Sequence, residues 1–70
     1  METLAKQLGK RISAVRREKG MTSEKLAYET DISKGYLSDV ENGKKLPSIK
    51  VLARLAKVLG VKLKRFFETL

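Results

Sequence analysis

Seventy residues with 16 Lys and Arg against 8 Asp and Glu give a net charge of +8 and a pI near 10.1, with no Cys and no His. A chain this short forms one small domain, expected to occupy residues 1–70, and its composition excludes disulfides, the usual zinc ligands and an imidazole or thiol for catalysis. No enzyme activity, metal or cofactor is expected; no apolar run approaches the roughly 18 to 20 residues that span a bilayer, so a soluble, cytoplasmic protein without a membrane partner is expected.

The first helix is predicted from Glu2 to Lys19, where Leu4, Leu8, Ile12 and Val15 recur at three- and four-residue spacing and Gly20 closes it. Its other face carries Lys6, Lys10, Arg11, Arg16, Arg17 and Lys19, which for all but Arg16 is either a solvated surface or one that meets phosphate. Gly9, inside this helix, costs about 1 kcal/mol of helix propensity.

Two short helices are predicted next, joined by a tight turn. Thr22 can cap the first, with Glu24 near the positive helix end and Leu26, Ala27 and Thr30 on one side. Ser33 can cap the second, in which Leu37 and Val40 form a burial face, while Gly35, Ser38, Asp39 and Asn42 line the opposite side. Asp31 and Ile32 leave room for a turn of only three or four residues, which sets the helices at a steep angle, with Ile32 plugging the corner. Small Ala27 permits the close approach, and Asn42-Gly43 ends the second helix with glycine in the left-handed position.

Lys44-Lys45-Leu46-Pro47 is a short loop, after which Ser48 caps a further helix buried through Ile49, Leu52, Leu55, Ala56 and Leu59 and ended by Gly60. Leu63, Phe66, Phe67 and Leu70 follow helical spacing and predict a fifth helix; Phe67 and Leu70 either complete the core or form a dimer contact. The fold class expected is therefore all-α, a compact five-helix bundle with Leu8, Ile12, Val15, Leu26, Ala27, Ile32, Leu37, Val40, Leu52, Leu55, Ala56, Leu59 and Leu63 inside. From Asn42 to Phe67 no acidic residue occurs among eight lysines and arginines, a lopsided field suited to nucleic acid with or without sequence preference.

The string T-S-E-x-L-A-x-x-x-D-I-S-x-x-x-L-S-x-V-E-N-G, spanning residues 22–43, resembles the helix-turn-helix of the phage repressor and Cro-type family, also called the XRE family. The flanks LGKRISAVRREKG and LPSIKVLARLAKVLGVKL resemble the same family's flanking helices, so the likeness runs from Leu8 to Phe67. Ser23 and Asp31 depart from it, standing where glutamine and glycine are common; Asp tolerates the left-handed region better than most residues.

The resemblance implies a lambda-repressor-like domain whose helices 2 and 3 form the motif, with the second motif helix entering the major groove of double-stranded DNA. Carried onto this chain, it makes Ser33, Lys34, Gly35, Ser38 and Asp39 the base readers, and Thr22, Ser23, Tyr36, Asn42, Lys44 and Lys45 the backbone contacts. It also implies an ion pair between Arg16 and Glu41 that fixes the reading helix on the first helix. The expected function is sequence-specific transcriptional regulation, as a repressor and as a homodimer on DNA. The alternative is a protein-binding adaptor of the same fold, antitoxin-like or bridging.

Overall fold

Among the described residues, 2–68, the computed structural model has four α-helices and no strand. They are α1 (Leu4–Glu18), α2 (Ser23–Thr30), α3 (Lys34–Glu41) and α4 (Ile49–Leu59), followed by a short 3-10 helix, Leu63–Phe67. None of the helices is long and apolar enough to cross a membrane.

Each α-helix opens on a hydroxyl. Thr3, Thr22, Ser33 and Ser48 have extended backbones, and their side chains accept from the N–H three residues on, at 3.1, 3.0 and 3.2 Å for the last three. Thr3 is the cap that moves the start of α1 from Glu2 to Leu4, with Lys6 N–H donating to its Oγ1 at 3.2 Å. Each helix also ends the same way: the N–H of the residue in the left-handed region reaches back three residues and that of its successor five, the paired bonds of a Schellman motif. Gly20, Gly43 and Gly60 fill that position in three helices. In α2 it is Asp31, at φ 60° and ψ 44°.

The core is the interior of this arrangement. α1 packs on α3 and on the closing 3-10 helix, while α2 packs on α3 and α4. Leu8, Ile12, Val15, Leu26, Ala27, Leu37, Val40, Leu52, Leu55, Ala56, Leu59 and Phe66 are buried. Ile32 and Leu63, expected inside, are only partly buried and pack against the edge of that cluster. Leu4 and Ile49 were expected on buried stripes but are 48% and 63% exposed. Both are the first residue of their helix, and a helical side chain leans toward the N-terminus, which at that position carries it past the end of the bundle.

The five-helix bundle is corrected to four α-helices. The closing segment has only five residues, Leu63–Phe67, and its N-cap Lys62 makes no side-chain bond to hold a longer helix. With three residues per turn, positions three apart stack. Leu63 and Phe66 therefore face inward, Phe66 completely, and Phe67 turns outward at 37% exposure. Leu70, the last of the expected apolar positions, lies outside the described residues.

Gly9 marks the closest helix approach. A Cβ at this position would stand 2.4 Å from the Val40 carbonyl oxygen and 2.7 Å from that of Glu41, so the missing side chain lets α1 touch the end of α3.

Candidate nucleic-acid interface

α3 packs on α1 and α2, and the side left open is polar. At its C-terminal end, Arg16 of α1 donates Nε to Glu41 Oε2 at 2.8 Å and Nη2 to Oε1 at 3.0 Å; its Nη1 donates to the Met21 carbonyl at 2.9 Å. The two side chains are 13% and 12% exposed, and the hydrogen bond with Glu41 raises the Arg16 pKa above its ordinary value, outweighing the desolvation that would lower it. At the N-terminal end, Arg54 of α4 donates to the Thr30 carbonyl and approaches Asp31 Oδ2 at 3.9 Å, which ties the turn between α2 and α3 to α4. Arg54 is a positioning residue with no local signal in the sequence beyond its place in a basic stretch.

On the open face, Ser33, Lys34, Gly35 and Ser38 are exposed and Asp39 is half-buried. Ser33 Oγ is occupied as the cap, accepting from Tyr36 N–H at 3.0 Å, so its hydroxyl proton is what remains for a base or phosphate. A Cβ on Gly35 would meet nothing within 4 Å, so its small size keeps the surface open and is not required by packing within the chain. Ser38 accepts from Asn42 Nδ2 at 3.3 Å.

The two charged positions of the face each have a partner on a neighbouring element. Lys34 Nζ lies 3.3 Å from Glu24 Oε1 on α2. Asp39 Oδ2 lies 3.5 Å from Lys45 Nζ, which also stands 5.7 Å from the centre of the Tyr36 ring. Lys45 is thus folded back along α3, while Lys44 is exposed with its N–H bonded to the Asp39 carbonyl at 2.8 Å. Thr22 Oγ1 is spent on the α2 cap.

Ser23, Lys34, Ser38 and Asn42 meet α1 across a surface cleft of about 410 Å³ whose far wall carries Lys10, Ser13 and Arg17. Lys10 and Arg17, seven apart and so on one helix face, are legible in the sequence only as part of a basic surface. The rest of that surface goes elsewhere: Lys6 packs under Gly43, Arg11 donates to the Glu68 carbonyl at 2.7 Å, and Lys19 lines a second cleft with Lys62 and Lys64. Along the chain, Glu24, the partner of Lys34, signals only a favourable charge at a helix start.

The sequence model of a family described as helix-turn-helix matches residues 12–66, which takes in all of α2, α3 and α4. The chain belongs to this helix-turn-helix family. It is 38% identical over 58 residues to the uncharacterized HTH-type transcriptional regulator y4dJ of Sinorhizobium fredii, covering 83% of this chain and 75% of that protein. It is 37% identical over 54 residues to the immunity repressor protein of Bacillus phage phi105, covering 77% of this chain but only 38% of the repressor. The fold superposes on the crystal structure of the clp gene regulator ClgR from C. glutamicum with a TM-score of 0.92 and 33% identity, covering 96% of this chain and 87% of that one. α2 and α3, joined by the turn at Asp31, are the helix-turn-helix of this chain.

Proposed function

We propose that the protein is a sequence-specific regulator of transcription that inserts α3 into the major groove of double-stranded DNA and acts as a repressor. The observation that carries this reading is the face of α3 itself: polar and exposed, with the C-terminal end of the helix held by Arg16–Glu41 and the turn before it tied to α4 by Arg54. A helix so fixed presents its side chains without the ordering cost of a mobile segment. Ser33, Lys34, Gly35, Ser38 and Asp39 read base edges, while Thr22, Ser23, Tyr36, Asn42, Lys44 and Lys45 set register on the backbone. Lys34, on the first turn, is long enough to donate to guanine O6 and N7; Asp39, one turn along, accepts from cytosine N4. The relatives' names as transcriptional regulator and immunity repressor support the same function.

Selection from randomised duplexes tests this directly, because it reports both sequence preference and the spacing of half-sites. On the preferred duplex, Lys34→Ala should cost about 1–3 kcal/mol of binding, and little on a duplex altered at the base pair that Lys34 reads. An equal loss on every duplex, shrinking with added salt, would make Lys34 a phosphate contact instead.

A further inference from the structure

The ion pair between Lys34 and Glu24 bridges the first turns of the two motif helices, its Nζ–Oε1 distance 3.3 Å and both side chains largely exposed. An exposed pair of this kind contributes little to folding, so its consequence is to be sought at the surface it faces. Glu24 stands next to Ser23 at the start of α2, where free backbone N–H groups and the helix dipole favour an anion. A carboxylate at that place opposes an approaching phosphate and at the same time holds the one cation on the first turn of α3.

We propose that Glu24 is a specificity-determining residue that acts through Lys34; the inference rests on α3 being the reading helix. An ammonium has three donors. Two can go to O6 and N7 of a guanine while the third stays on Glu24, so the pair survives on the preferred duplex and keeps the lysine aimed at the base edge. A phosphate offers Lys34 a competing anion without sequence information, and Glu24, already 3.3 Å from the ammonium, competes with it for the lysine. Glu24 therefore withholds from every wrong duplex a contact that a free lysine would make.

The test compares the protein with Glu24→Gln, Lys34→Gln and the double variant. Affinity is measured across a salt series on the duplex selected from a random pool and on one altered at the base pair that Lys34 reads. Glu24→Gln should tighten binding to the altered duplex by about tenfold and steepen its salt dependence by about one unit of slope, as one more phosphate is neutralised. Binding to the selected duplex should change less, so discrimination falls. In the Lys34→Gln background the Glu24 substitution should leave discrimination unchanged. Equal tightening on both duplexes, or an unchanged effect of Glu24→Gln when Lys34 is absent, would show general repulsion of phosphate and overturn the proposal. A parent protein with no sequence preference would instead refute the proposed function. Thermal unfolding of each variant separates loss of fold from loss of binding.

Discussion

Gly9 lacks a side chain because α3 ends against it. Alanine there gains about 1 kcal/mol of helix propensity, yet its methyl would overlap the carbonyl oxygens of Val40 and Glu41, which are backbone and cannot rotate away. Gly9→Ala should therefore lower stability by about 1–3 kcal/mol in urea unfolding, against the direction that propensity alone predicts; a more stable variant would mean that the two helices separate freely. The neighbouring Arg16–Glu41 pair gives a second prediction at this scale. With only 13% and 12% of the two side chains exposed, Glu41→Ala leaves a guanidinium largely cut off from water without its carboxylate, the Met21 carbonyl alone still accepting from it. The cost should be about 3 kcal/mol, several times that of Glu29→Ala, which breaks the exposed pair with Lys25 and should cost at most about 1 kcal/mol. Equal shifts in the two unfolding curves would place the Arg16 pair among ordinary surface charges.

The elements are short, and each is stabilised more by what it packs on than by its own length. α2 and α3 have eight residues apiece, below the length at which an isolated helix persists in water, so caps and burial must hold them. The 3-10 helix is anchored chiefly by Phe66, which is completely buried where the segment packs on α1 and α4. Phe66→Ala should cost about 3–5 kcal/mol, a large part of the stability of a domain this small, while Phe67→Ala should cost much less. Thermal denaturation of the two variants separates them; similar losses would show that both rings serve the core. Asp31 illustrates the same dependence at a turn: it carries a positive φ without being glycine, and Arg54 reaches across from α4 to bond the carbonyl just before it.

The described residues hold one helix-turn-helix, whereas successive major grooves on one face of DNA lie roughly 34 Å apart. Reading two half-sites requires two copies, and a symmetric dimer on DNA follows as a proposal from that geometry. Its charges are unevenly spent. Glu2, Glu18, Glu24, Glu29, Asp31, Asp39 and Glu41 form ion pairs within the chain, while lysine and arginine outnumber the acids 16 to 8. If a dimer neutralises about six phosphates, log affinity should fall against log salt with a slope near −5. Titrations at several salt concentrations measure that slope, and a nearly flat response would remove the electrostatic basis of binding. Sedimentation of the complex with a duplex carrying both half-sites checks the stoichiometry.

What the sequence determined by itself is local. Thr22, Ser33 and Ser48 as caps, Gly20, Gly43 and Gly60 as stops, and the apolar spacing of α1 through α4 all act within four or five residues along the chain, where the backbone geometry is the same in any fold. The helix-turn-helix was legible for that reason, together with most of the buried residues. Tertiary structure decided everything that depends on how helices cross. It made Gly9 a contact, sent Arg54 to the turn, chose Phe66 over Phe67, and closed the chain with a 3-10 helix where period alone suggested an α-helix. It also gave Lys34 and Asp39 their partners, Glu24 and Lys45. No spacing rule along the chain contains those pairings, because which charged tips meet depends on the angle and distance between elements, and that geometry exists only once the core has packed.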